Sequence, residues 1–136
     1  MKIMLPHDES GDLQMWLAAH LDAVEPGLEL VGTEYAAGGL PIDILAKDAM
    51  GRFVVIEVKA AASQEMALAR LFWGVAWVRE NLAGGRNVVR GILIAQDIDE
   101  DLRLACAGTV ELFKLQVRLV LALDSAPAPN QLAAGA

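Results

Sequence analysis

Apolar positions along this 136-residue chain change rhythm repeatedly between helical and strand spacing. Leu13, Trp16, Leu17, Leu21 and Val24 recur every three or four residues and predict a helix over 10–24, capped by Asp8 or Ser10 and stopped by Glu25-Pro26-Gly27. A strand follows over 28–36, then two short β-branched runs, 42–47 and 53–58, apolar on both faces. Ser63 suits the cap of a second helix, with Glu65 at the positive end of its dipole and Gly84-Gly85 beyond its end. Residues 88–95 read as a buried strand, and 99–107 as a helix whose leading acids, Asp99, Glu100 and Asp101, serve as caps. From Val110 to Leu123 the alternation shifts phase near Phe113, which predicts a bulge or two successive strands. Residues 1–123 are expected to form one domain and 124–136 a disordered tail. The order helix, three strands, helix, strand, helix, strand predicts an α/β fold, a mixed sheet flanked by helices on both faces.

Charge interrupts this pattern where it is least expected. Asp43 lies within the first β-branched run, and Glu57 and Lys59 lie in and just after the second. Burying a charge costs several kcal/mol unless it is paired or binds a metal. Asp48-Ala49-Met50-Gly51 suits a type I turn closed by a glycine of positive φ. If Asp48 faces Arg52, opposed residues sum to 100 and Asp43 falls across from Glu57. Lys59 would share that face, two residues on. Two carboxylates and a lysine so placed fit metal-assisted phosphodiester hydrolysis. Asp43 and Glu57 would hold Mg²⁺ or Mn²⁺ with the Val58 carbonyl as a third ligand, and Lys59 would orient water or stabilise developing charge.

Composition narrows this picture. Eleven Lys and Arg against eighteen Asp and Glu give a net charge of −7, which argues against a strong grip on a polyanion. No apolar run approaches the length of a membrane span, and the N-terminus has too short an apolar core for a signal peptide. The single cysteine, Cys106, excludes an internal disulfide, fits a reducing cytoplasm and reads as a small buried hydrophobe.

At Pro41-Ile42-Asp43 and Glu57-Val58-Lys59 the chain resembles the PD-(D/E)xK nuclease superfamily, and more closely the nuclease domain of the NucS/EndoMS mismatch-endonuclease family. The resemblance continues through Val24-Glu25-Pro26-Gly27-Leu28, Glu34-Tyr35 and Val89-Arg90-Gly91-Ile92-Leu93-Ile94-Ala95, covering about residues 10–115. It implies a restriction-endonuclease-like αβββαβ core and a metal-dependent DNA endonuclease. It also places Glu25 where a glutamate of the superfamily often approaches the metal; by itself, Glu25 reads equally as an exposed helix end. Glu34 is a second auxiliary acid on the same footing, or else an exposed edge residue.

The chain departs from that family in two places. Ala60-Ala61-Ala62 stands where relatives carry basic residues, and Arg70 and Gly74 stand where they carry Gln and Tyr. Both departures bear on substrate positioning rather than on metal coordination. Relatives also have an additional N-terminal domain for DNA binding and dimerisation, so a homodimer or a separate DNA-binding chain is expected to supply that role here, without mismatch specificity carried over. DNA is the expected substrate, with RNA left open.

The remaining candidates are weaker. Arg70, Arg79 and Lys47 are possible phosphate contacts, against the reading of a solvated face. Trp73 and Trp77, one turn apart, read as packing before base stacking, and Gly74 between them suggests close approach of another backbone. His20 reads as a satisfied boundary residue. The alternative to an enzyme is a nuclease-fold module for dimerisation or assembly.

Overall fold

The computed structural model describes residues 9–59, 64–85, 88–95, 98–108 and 111–114, and the side chains of all of these except 9–12, 59, 64 and 112–114. Helix α1 (Glu9–Ala19) and a 3-10 turn (Leu21–Ala23) precede strands β1 (Glu29–Ala37), β2 (Leu40–Lys47) and β3 (Phe53–Lys59). Helix α2 (Gln64–Asn81), β4 (Arg90–Ala95), α3 (Glu100–Cys106) and β5 (Glu111–Lys114) follow. This is the element order read from the sequence. The first helix is shorter than expected, because α1 ends at Ala19 and His20 adopts a non-helical φ of −133° before the 3-10 turn. The Ser63 cap, the phase shift near Phe113 and the tail lie outside what is described.

The five strands form one sheet in the order β1-β2-β3-β4-β5. The first three are joined antiparallel by hairpins, whereas β3–β4 and β4–β5 are parallel and need α2 and α3 as crossovers. Each face is covered. Leu13, Leu17 and Leu21 pack on Ile44, Ala46, Val54, Ile56, Val58, Ile92 and Ile94, while Leu71, Val78, Leu102 and Cys106 pack on Ile42, Leu45, Val55 and Leu93. Central strands buried from both sides explain the nearly continuous apolar runs. Among the described residues no helix is long and apolar enough to cross a membrane.

The β2–β3 hairpin has the expected turn. Asp48 N–H donates to Arg52 O at 2.9 Å, Gly51 N–H to Asp48 O at 2.8 Å, and Gly51 has φ +81°. Ile44, Leu45, Ala46 and Lys47 then face Ile56, Val55, Val54 and Phe53, the register the turn predicts.

Helix α2 lies close on the sheet at Gly74. What approaches is side chains rather than another backbone: a Cβ at Gly74 would meet Val55 Cγ1 at 3.0 Å and Ile42 Cγ1 at 3.2 Å. Nearby, Trp73 Nε1 donates to Ala37 O at 3.2 Å, and Trp77 sits edge-on to Tyr35 at 6.3 Å. The two indoles thus clamp the β1–β2 turn to α2, the packing reading of that pair.

Two opposing effects meet at Gly74. Alanine would gain about 1 kcal/mol of helix propensity but crowd the sheet. Gly74→Ala is therefore expected to be near neutral, and Gly74→Leu to cost about 1–3 kcal/mol, read as a lowered urea midpoint.

Candidate metal centre

The β2–β3 ladder ends at the two carboxylates. Asp48 and Arg52 share a backbone hydrogen bond, and such pairs recur every second residue, so Ile44–Ile56 and then Ile42–Val58 belong to the same series. The last of these is replaced. Val58 N–H donates to Asp43 Oδ2 at 2.9 Å, and Asp43 N–H donates to Glu57 Oε2 at 3.2 Å. Side-chain oxygens have taken over from the ladder, and the strands open.

The backbone changes phase at the same point. Ile42 packs with Leu45 in the α2 layer while Ile44 packs in the α1 layer, so alternation slips by one at Asp43. The Asp43 carbonyl accepts from Gln14 Nε2 of α1 at 3.1 Å. Gln14 is itself buried, and no sequence signal marked it: a lone polar residue on a helix face has no pattern.

The irregularity extends into β1. Thr33 faces Ile44 and Tyr35 faces Ile42, which brings Glu34 opposite Asp43. Glu34 has φ +47°, a left-handed conformation that costs a non-glycine residue about 1–2 kcal/mol. It is exposed, and its charge reaches Asp43. Three acids therefore occupy one level across three strands, with Asp43 and Glu57 buried.

Burial governs the charge of the inner pair. Desolvation pushes the Glu57 carboxyl up to about 7, and the neighbouring Asp43 charge adds to this against the hydrogen bond from Asp43 N–H. Desolvation likewise raises Asp43, opposed by the Val58 N–H and by Arg70. Arg70 of α2 is the cation that answers both. Its Nη2 lies 3.5 Å from Asp43 Oδ1 and its Nε 3.3 Å from Glu57 Oε1, while Nη2 also donates to Pro41 O at 3.1 Å. The Arg70 placed in sequence as a phosphate contact thus sits on the acids.

These donors suit a hard divalent ion. Arg70 meets each carboxylate with a different nitrogen, Nη2 toward Asp43 Oδ1 and Nε toward Glu57 Oε1, so both of those oxygens face α2. Among the described residues no three His, Cys, Asp or Glu side chains gather to hold a metal, so further ligands would be backbone, water or substrate, as is usual for Mg²⁺. The Val58 carbonyl qualifies, because a strand residue turns its N–H and C=O toward the same neighbour and Val58 N–H faces Asp43. Lys59 is the last residue of β3, level with Ala95; its side chain lies outside what is described.

Two other predicted site residues lie elsewhere. Lys47 is exposed near the far end of the hairpin, its Nζ 4.9 Å from the Phe53 ring centroid. Glu25 is drawn away by Arg90, whose Nη2 and Nη1 lie 2.6 and 2.8 Å from its oxygens. That hydrogen bonding holds Glu25 below its ordinary range. Arg90 also binds Glu111 at 2.8 Å and Asp48 at 3.1 Å, and it pairs with Val54, three residues before Glu57. The structure therefore joins Glu25 to the hairpin turn and leaves it apart from Asp43 and Glu57.

Comparisons with known proteins give this geometry a context. The family described as "Endonuclease NucS C-terminal domain" matches residues 9–117. Endonuclease NucS of Frankia alni is 35% identical over 101 residues, covering 70% of this chain and 42% of that protein. The chain thus spans about two-fifths of the curated relative's length. EndoMS in complex with dsDNA superposes with a TM-score of 0.67 at 27% identity, over 79% of this chain and 44% of the other. A repair endonuclease from Pyrococcus abyssi shares the fold, with a TM-score of 0.66 at 23% identity over 78% and 46%.

The second cluster yields a pH prediction. Burial opposes ionisation of Asp48, yet hydrogen bonds from Arg52, Arg90 and Met50 outweigh it and bring its pKa from 3.8 down to about 2. A lowered carboxylate pKa contributes stability that is complete above about 4 and lost as pH falls through about 2. Asp48→Asn should lower stability by about 2 kcal/mol at pH 7 and flatten its acid dependence between pH 4 and 2 in urea titrations. An unchanged acid limb would assign that loss to other groups.

Proposed function

The chain belongs to the endonuclease NucS C-terminal domain family, and on that premise we propose that it is a metal-dependent DNA endonuclease of the PD-(D/E)xK type with a restriction-endonuclease-like core. The observation that carries this reading is the buried Asp43–Glu57 pair at the open end of the β2–β3 ladder. A structural ion pair would not bring two acids together at a break in a sheet, where each raises the cost of charging the other.

Asp43 and Glu57 would hold Mg²⁺ or Mn²⁺, with the Val58 carbonyl as a third donor. When bound, such an ion polarises a phosphate oxygen and makes a coordinated water more acidic. The chain's own residues prepare that site. Val58 N–H and Asp43 N–H fix the orientation of the two carboxylates, and Gln14 holds the Asp43 carbonyl from α1. Lys59 follows two residues after Glu57 and is assigned the catalytic lysine, orienting the attacking water or stabilising the charge that develops on phosphate. Glu34 is retained as an auxiliary acid on its level across the sheet. Glu25 is assigned instead to the Arg90 cluster.

Net charge −7 supports a division of labour in which this unit cuts and another domain or chain, or a second copy, grips the substrate. DNA is the substrate favoured by the family, and RNA enters the same assay as a competitor. A second reading, an assembly module that keeps the fold without the chemistry, draws on Arg70, which already answers the charge of the pair.

The deciding experiment is nicking of supercoiled DNA with Mn²⁺, alongside single-stranded, duplex, branched and mismatched DNA and RNA. Asp43→Ala and Glu57→Ala should remove both Mn²⁺ binding and cleavage, and Lys59→Ala should slow cleavage by about 10²–10⁴-fold while leaving Mn²⁺ bound. Metal-dependent cleavage unchanged in Lys59→Ala would sink the mechanism, and absence of Mn²⁺ binding at millimolar concentration would favour the module.

A further inference from the structure

We propose that Arg70 is a tethered counter-ion which a divalent metal must displace from Asp43 and Glu57, so that this residue sets the metal affinity of the chain. The inference rests on the reading of those two acids as metal ligands, and it concerns the one cation the fold supplies to them among the described side chains.

The geometry is that of an exchangeable partner. Both contacts to the acids are long, 3.3 and 3.5 Å, and the buried Nε has no well-aimed hydrogen-bond acceptor. Good arginine–carboxylate pairs are shorter and parallel. In the same protein Arg90 shows what a fixed arrangement looks like, with contacts of 2.6 and 2.8 Å to both oxygens of Glu25 and 17% side-chain exposure. The Arg70 side chain is 36% exposed and extends from a helix surface, so it can swing into solvent. Its one firm hydrogen bond is to Pro41 O, which is no part of the acid pair.

The consequence is competition. A metal ion and a guanidinium offered the same two carboxylates each weaken the binding of the other by the same factor. A neutral glutamine at position 70 would not compete. This chain should therefore need more metal than a glutamine-bearing equivalent, and should hold its acids compensated when metal is scarce.

The test is a Mn²⁺ titration of the whole chain, counting free ion by electron paramagnetic resonance, for the natural sequence, Arg70→Gln, Arg70→Lys and Arg103→Gln. The last removes the same charge from an exposed pair on α3 and corrects for net charge. Arg70→Gln is expected to tighten Mn²⁺ about ten- to a hundredfold beyond Arg103→Gln, with Arg70→Lys nearer the natural chain. The metal-free Arg70→Gln protein should also melt lower and regain more on adding Mn²⁺. Equal affinities for Arg70→Gln and Arg103→Gln would overturn the counter-ion role while leaving the metal centre standing. Tightening by Arg70→Lys equal to that by Arg70→Gln would overturn it too. No binding by any of the four would overturn the centre and the inference together.

Discussion

Two carboxylates buried side by side at the end of a β-ladder are the constraint around which this fold is arranged. Burial makes both harder to ionise, and the Asp43 charge adds to this at Glu57. The protein answers with local rearrangements rather than with one strong salt bridge. Val58 N–H leaves the ladder for Asp43, the Asp43 backbone turns and finds Gln14, and Glu34 one strand away takes a left-handed conformation. The β2–β3 ladder stops at this level, whereas β1–β2 and β3–β4 stay paired beyond it.

The two arginine clusters divide the sheet into a fixed end and an adjustable end. Around Arg90 three acids from the turn after α1, the β2–β3 hairpin and β5 share one guanidinium at 2.6–3.1 Å, tying distant segments of the chain together. Around Arg70 two acids share one guanidinium at 3.3–3.5 Å. Short, bidentate contacts suit a structural tie, and long ones suit a partner that can leave. The same residue types serve both ends; distance and hydrogen-bond geometry separate their roles.

Much of this was legible in the sequence because it depends on local rules. Asp48 and Gly51 set the turn, the turn sets the register, and the register brings Asp43 to Glu57. Less local features were not legible. The slip at Asp43 arises from competition between a side chain and the ladder, and strict alternation gives no sign of it. Gln14 and Arg70 act across about thirty residues of sequence, a range over which single-residue spacing carries no information. Glu25 was expected toward the metal pair, but a long-range partner, Arg90, decides what it touches. Gly74 signalled a close approach, and only the fold shows that Val55 and Ile42 make it.

The claim at the centre of this account is that Asp43 and Glu57 form one buried, mutually repelling pair. Carbon-13 NMR titration of their carboxyl groups in metal-free protein tests it directly. Glu57 should titrate near 7, Asp43 should also lie above its ordinary range, and Asp43→Asn should bring Glu57 down. Two independent curves at ordinary carboxylate values of about 4, unaffected by that substitution, would contradict the account.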